Sequence, residues 1–258
     1  MDGFNEISIE RVASTILNLL GCDSPLEMAP SISEVVKYKE CDRVFMYNPD
    51  AIAEWIYEAY RESFAPITKE ATCNLEMLSV YPPKTPVCFA SMYSGLEPNR
   101  HGIMTYTKPV LKCTTIFDLL PESGKKCAIV STANDSISEI FLNRNIDYFI
   151  YKTKEECNKK AISLIKEDKY DLIVLYNGNY DWAMHRFSPE GKPSLKALKE
   201  NIDTYCLLRE EIKTLWNGHK TALAFAPDHG CHRMYKILGT HGERSAKDMN
   251  IRHFWTII

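Results

Sequence analysis

The sequence predicts an α/β fold, a mainly parallel central sheet sandwiched by helices. Two observations carry this. Short apolar runs alternate with longer stretches whose apolar residues recur at helical spacing, the pattern of strand–helix units. Several apolar runs also end abruptly in turn-forming or acidic residues, RVFMYN in Pro49-Asp50 and TALAFAP in Asp228-His229-Gly230. In open parallel sheets, ligands gather beyond the carboxyl ends of the strands.

The elements follow in order. In ISIERVASTILNLLG, residues Ile9, Val12, Ile16, Leu19 and Leu20 share a helical face, and Gly21 is a reasonable stop. A Pro-broken stretch, CDSPLEMAPSISEVVKYKE, follows. Residues 1–40 read as a helical extension packed on the core, and residues 1–258 as one catalytic domain. RVFMYN (43–48) reads as a strand, with AIAEWIYEAYRESF as its helix. VCFASMYSG continues at helical period after Pro86, and KKCAIVST (125–132) is the next strand. Asp135 is placed to cap the helix DSISEIFLNR. DYFIY (147–151) precedes the helix KEECNKKAISLIKED, and DLIVLYN (171–177) has the composition of a buried strand. SLKALKENIDTYCLLREEIKTLW is a long amphipathic helix, and TALAFAP (221–227) and RHFWTII (252–258) complete the strands. No internal repeat, low-complexity tract or long linker interrupts the series.

The 258 residues suffice for a sizeable core. A formal net charge of -3 gives no global pull towards nucleic acid or an anionic membrane, so neither is expected as a partner. An anionic substrate would need local positive charge, such as bound cations. Nine cysteines lie singly, without a CxxC pair, which favours free thiols in a reducing cytosol over a disulfide framework. The start MDGFNEISIERVAS carries acids where a signal peptide needs a basic start, and the apolar runs are too short to span a bilayer. A cytoplasmic location is expected.

Metal-ligating residue types recur just past the strand ends. They are Asp50 in MYNPDA, Asp181 and His185 in NGNYDWAMH, Asp228 and His229 in AFAPDHG, and His241 in GTHG. Singly each has an ordinary reading: a helix N-cap for Asp50, an i,i+4 surface pair for Asp181 and His185, a loop histidine for His241. Jointly, three carboxylates and three imidazoles on one sheet edge suit divalent cations. Zinc is favoured by the imidazoles, and manganese is accepted by carboxylate-rich sites. Thr85, among Pro82, Pro83 and Pro86, falls at or just before a helix start, where free N–H groups favour an anion. It is either a plain N-cap or a nucleophile activated by a cation. Of the other histidines, His219 reads as exposed, His253 as part of the last strand, and His101 as a turn stabiliser. His232, although close to the Asp228-His229-Gly230 turn, takes the same ordinary reading.

The segment TPVCFASMYSGLEPNRHGI resembles the nucleophile segment of the alkaline phosphatase superfamily, in its type I phosphodiesterase/nucleotide pyrophosphatase branch. The run from Ser94 to Ile103 and its spacing from Thr85 match, and Asp50, Asp181-x-x-x-His185, Asp228-His229-Gly230 and His241-Gly242 follow in the family's order. The resemblance implies two divalent cations, commonly zinc. One would be held by Asp181, His185 and His241, the other by Asp50, Asp228, His229 and the Thr85 oxygen. It implies attack by Thr85 on a small phosphorylated substrate, a nucleotide or another diester, through a phospho-threonine. Two departures stand out: Pro86-Val87-Cys88 replaces the branch's Phe-Pro-Asn, and Tyr106 stands where an Asn usually meets a phosphate oxygen. Cys88, three positions from Thr85, argues against sulfatase chemistry. The stretch from Thr85 to Asp181 leaves no room for a large cap domain. Alternatives are a phosphomonoesterase or phosphonate hydrolase, with Arg100, Arg186, Arg233 or Arg244 on the terminal oxygens, and a non-catalytic metal-binding homologue.

Overall fold

A computed structural model describes residues 3–235 and 237–258. In chain order the elements begin β1 (Ile7–Ser8), α1 (Arg11–Leu19), α2 (Ser33–Val36), β2 (Arg43–Pro49), α3 (Glu54–Ala59), α4 (Ala65–Thr68) and β3 (Cys73–Leu78). Next come α5 (Thr85–Ser94), α6 (Pro98–His101), α7 (Ile116–Glu122), β4 (Cys127–Thr132), α8 (Ser136–Ile140), β5 (Asp147–Tyr151) and α9 (Lys154–Glu167). The chain continues through β6 (Leu172–Asn177), α10 (Asn179–Phe187), α11 (Lys192–Leu215) and β7 (Thr221–Phe225). It closes with β8 (His232–Met234), β9 (Leu238–Thr240), α12 (Ala246–Met249) and β10 (Asn250–Ile257).

Eight strands form the main sheet in the order β1-β3-β10-β7-β2-β6-β4-β5. Every pairing is parallel except those of β10, which runs antiparallel to both β3 and β7. The expected mainly parallel sheet is therefore present, with RHFWTII as its exception. The reason is the connection: β7 reaches β10 through a small hairpin and α12, without the long crossover helix that a parallel return needs.

Strand side chains alternate between two apolar clusters, one on each face. Val44 and Met46 of β2 enter one cluster, while Phe45 and Tyr47 enter the other. In β6, Leu172, Val174 and Tyr176 oppose Ile173 and Leu175 in the same way. Both faces of the central strands are buried, which is why they read as continuous apolar runs. On the first face lie α1, α5, α7 and α8; on the second lie α9, α10 and α11. Every residue of α5 is buried, so this helix sits inside the layer as a fixed support.

Two strands of the main sheet went unrecognised in the sequence. The first is β3, CNLEML, where Asn74 and Glu76 are exposed between buried Cys73, Leu75 and Met77; period-two alternation was the available signal. The second is β1, only two residues long, which pairs Ile7 with Met77 and Ser8 with Leu78. The helix expected over 51–64 is shorter, because the chain turns after Ala59 and restarts as α4 with Pro66 in its first turn. No large cap domain is inserted among the described residues, and none of their helices is long and apolar enough to cross a membrane.

Gly95 ends α5 in a left-handed conformation, φ +69°. A Cβ there would lie 2.9 Å from Met28 Cβ, so the extension and the turn before residues 96–103 meet at this point. Gly95→Ala should cost about 1–2 kcal/mol for the left-handed backbone alone, more with the clash. Urea unfolding checks this; a variant as stable as the parent would show that the contact relaxes freely.

Candidate metal centre and active site

Three neighbouring strands, β7, β2 and β6, deliver the carboxylates. Asp50 follows β2 directly, Asp228 lies three residues past β7, and Asp181 lies in the first turn of α10 after β6. Ala51 adopts φ +62°, and its N–H points to Asp228 Oδ1 at 3.3 Å. Asp50 does not cap a helix: α3 begins at Glu54, with Ala53 as N-cap. His185 sits one turn after Asp181 on α10, and its Nε2 is 3.3 Å from Asp181 Oδ1. His241 enters from the loop after β9, with Nε2 3.5 Å from the same oxygen.

The six side chains form two adjoining groups. Asp50, Asp228 and His229 are fully buried together; Asp181, His185 and His241 are partly open to solvent. His229 Nε2 lies 3.4 Å from both Asp50 Oδ1 and Asp228 Oδ2. The His229 and His241 rings stack at 4.1 Å between centroids and join the two groups.

Each imidazole is held in one tautomer by backbone. His185 Nδ1 bonds Gly239 O at 3.0 Å, His229 Nδ1 bonds Gly230 O at 2.9 Å, and His241 Nδ1 bonds Pro83 O at 2.9 Å. A carbonyl oxygen only accepts, so Nδ1 carries the proton in all three. The neutral ring then turns the lone pair of Nε2 into the site, as a metal ligand requires. Asp50 Oδ1, Asp228 Oδ2 and Asp181 Oδ1 are buried and accept no hydrogen bond. Orphaned carboxylate oxygens facing unprotonated imidazole nitrogens are what divalent cations would satisfy, so the residues present fit the cations that the sequence implied.

Thr85 is the first residue of α5, and the N-cap is Lys84, so the plain N-cap reading of Thr85 does not hold. Its Oγ1 lies 3.4 Å from Asp50 Oδ2 and 3.3 Å from His229 Nε2. No side chain caps the helix, so its first-turn N–H groups remain available for an anion. Tyr176 Oη donates to Asp50 Oδ2 from beneath.

The charges are costly without a counter-ion. Burial, then the neighbouring Asp228 and Asp181, push the Asp50 carboxyl well above its ordinary range. Burial pushes Asp228 up to about 7. At Asp181 burial also opposes ionisation, but His185, His241 and His229 outweigh it and the carboxyl titrates below its ordinary value. Burial lowers His229 and His241, while Asp181 raises His185.

Comparison with known proteins comes at three levels. The model of the type I phosphodiesterase / nucleotide pyrophosphatase family matches residues 47–113, a span holding Asp50, Thr85 and Tyr106. Among solved structures, an inactive murine ectonucleotide pyrophosphatase / phosphodiesterase 5 in complex with AMP superposes with a TM-score of 0.59 at 16% identity, over 76% of this chain and 59% of that one. The human ectonucleotide pyrophosphatase / phosphodiesterase 5 gives 0.56 at 16%, over 74% and 57%. Phosphonoacetate hydrolase from Sinorhizobium meliloti 1021, in complex with phosphonoformate, gives 0.56 at 16%, over 73% and 56%. The chain has the alkaline phosphatase-like fold. Its resemblance to the type I phosphodiesterase/nucleotide pyrophosphatase branch stands. The chain spans less than three fifths of the length of these structures, and no curated protein matches its sequence.

Beside the aspartate and histidine cluster opens a cavity of about 440 Å³, lined by Asp50, Thr85, Asp181 and His185. Its lining also includes residues that the sequence did not single out for the site: Lys154, Trp182, Asn179 and Asp135. Asp135 is at the N-cap position of α8, as expected, but its side chain takes the Thr132 hydroxyl instead of capping the backbone. Only its place just past β4 could have flagged it. Tyr106 lines the cavity too, and so does Arg186 alone among the four arginines considered. Arg100 binds Glu27 O and Arg233 pairs with Glu190, both away from it. His219, expected exposed, is half-buried against Asp168 at 2.9 Å. His101 stabilises its turn through Ser91 Oγ at 2.9 Å and the Ile103 N–H at 3.2 Å. His253 is buried in β10, bonded to Pro227 O at 2.8 Å.

One prediction isolates Asp228 in the metal-free protein. A carboxyl whose folded pKa is raised favours the native state below its unfolded value, near about 3.9, and that stability is lost as pH rises through about 7. In excess chelator, the stability of Asp228→Asn relative to the parent should therefore rise between pH 5 and pH 8. Urea midpoints at the two pH values measure it; a constant difference would show that Asp228 is not raised.

Proposed function

We propose that this chain is a two-metal-dependent hydrolase of phosphate esters, of the phosphodiesterase/nucleotide pyrophosphatase type, acting through a phospho-threonine intermediate. The observation that carries the reading is the place of Thr85. Its hydroxyl is at the first turn of a buried helix, within 3.4 Å of Asp50 and 3.3 Å of His229. The family match over the same segment supports it, as do structural neighbours described with AMP and phosphonoformate. Asp181, His185 and His241 would hold one cation; Asp50, Asp228, His229 and the Thr85 oxygen the other. When bound, such cations lower the pKa of a hydroxyl and neutralise charge on phosphoryl oxygens. Zinc fits the three imidazoles, and manganese the carboxylates.

The chain's own residues supply orientation and attack. The α5 N-terminus holds the phosphoryl group against Thr85. Thr85 Oγ1 gives up its proton to water in the open cavity and forms the new P–O bond as the bond to the leaving oxygen breaks. The leaving oxygen departs into the open cavity, where solvent can protonate it. Water then cleaves phospho-Thr85, releasing the phosphoryl product and restoring the hydroxyl. Tyr106, at the cavity rim, offers one phenolic donor to a phosphate oxygen. Domain and location follow the same reading: residues 1–258 act as one catalytic unit, with 1–40 as a packed extension. Nine free cysteines, six of them buried, suit the cytoplasm.

A second reading has one observation in its favour. Lys154 and Arg186 both line the cavity and could bind the extra negative charge of a monoester or a phosphonate, which a diester lacks. Paired assays on p-nitrophenyl phosphate and its thymidine-capped diester separate the two; diester preference is expected. Thr85→Ala should lower turnover by about a thousandfold or more while zinc content, measured on the purified variant, stays near that of the parent. Turnover at the parent's rate would remove Thr85 as nucleophile. Chelation should abolish activity and added zinc or manganese restore it. Full activity in chelator would refute the metal-dependent reading as a whole.

A further inference from the structure

We propose that His232 and Asp248 are positioning residues that lock together the two loops carrying His229 and His241. This rests on the metal-site reading above. Neither residue lines the cavity, and neither belongs to the two ligand groups.

Asp248 is fully buried at the end of α12 and makes three contacts to the ligand-bearing segments. Its Oδ1 accepts His232 Nδ1 at 2.7 Å. Its Oδ2 accepts the Glu243 N–H at 2.9 Å, two residues past His241. Its backbone oxygen accepts the Gly230 N–H at 2.7 Å, one residue past His229. Ser245 Oγ in turn takes the Asp248 N–H at 3.4 Å. His232 stands opposite Thr240 in the β8–β9 hairpin, and its Nε2 lies 3.6 Å from Glu243 Oε1 in the His241 loop. Gly230 allows this closeness: a Cβ there would lie 2.2 Å from Lys247 O.

The physical consequence concerns two imidazoles with different anchors. His229 and His241 stack at 4.1 Å, yet each hangs from a separate loop. Without a tie between the loops, the two Nε2 atoms would drift relative to Asp50, Asp181 and Asp228, which are fixed by the sheet. Groups that orient metal ligands typically change affinity by roughly 10–100-fold when removed.

The test compares three variants by zinc binding in chelator competition. His232→Asn keeps a donor at the place of Nδ1; His232→Ala and His232→Leu remove it. The parent should bind zinc, the donor-free variants should bind it at least tenfold more weakly, and His232→Asn should stay within a few-fold of the parent. Far-UV circular dichroism and urea midpoints confirm that the compared variants are folded. Parent-like affinity in the donor-free variants overturns the proposal, and so does equal loss in all three. If both donor-free variants fail to fold while His232→Asn folds, the bond is a folding requirement and the proposal also fails. A parent protein that binds no zinc would instead overturn the metal reading beneath it, so the two failures are distinct. Among folded variants, kcat is expected to fall more than KM rises, because the pair does not touch the cavity.

Discussion

The site is organised around one electrostatic constraint: three carboxylates must share a small, largely dry volume. Asp50 and Asp228 are 2% and 0% exposed, and with Asp181 each keeps a buried oxygen without a hydrogen bond. Like charges this close raise each other's affinity for protons, and burial adds to it. A fold bears such a cost where the charge is later compensated. The sheet makes the convergence unavoidable. β7, β2 and β6 are adjacent, and neighbouring strands run about 4.8 Å apart. Residues just past the ends of three adjacent parallel strands therefore arrive within a few ångströms of each other, and the helices behind them prevent retreat.

Much of this arrangement was legible in the sequence, for a physical reason. Buried parallel strands must be apolar on both faces, so VFMY, LIVLY and ALAF announced themselves, and their ends marked the functional edge. Asp50, Asp181 and Asp228 were readable because each follows such a run closely. β3 was not, since its outward Asn74 and Glu76 broke the apolar run. β10 was legible as a strand but not in direction, because direction depends on how the chain returns, which no local pattern encodes. Part of the cavity lining was invisible for another reason. Asp135 follows β4 and Lys154 follows β5, and only the strand order β6-β4-β5 brings them beside Trp182 on α10.

That strand order also separates two kinds of work. The ligand carboxylates stand just past β2, β6 and β7 in the middle of the sheet, where both strand faces are buried. The rest of the cavity wall comes from the segments after β4 and β5, which give Asp135 and Lys154, and from Trp182 of α10 and Tyr106 after α6, both more than half exposed. Chemistry is thereby tied to the rigid centre and substrate fit to the adaptable margin. Changes of substrate could then arise at Tyr106, Lys154 or Arg186 without disturbing a single ligand-forming residue.

The histidines show how far the backbone, and not only the side chains, sets the state of the site. Each Nδ1 is bound to a main-chain carbonyl, Gly239, Gly230 or Pro83. A carbonyl cannot change protonation, so the tautomer that exposes Nε2 is held at every pH where the ring is neutral. Had carboxylates filled these places, they would have added negative charge to a site already carrying three. Carbonyl anchors avoid that, but they transfer the burden of precision to loop geometry. Two of the three lie between β7 and α12, Gly230 in a loop and Gly239 in the three-residue strand β9. A fixed point such as Asp248, buried and bonded to the loops that carry His229 and His241, is what turns those loops into a rigid frame for the imidazoles.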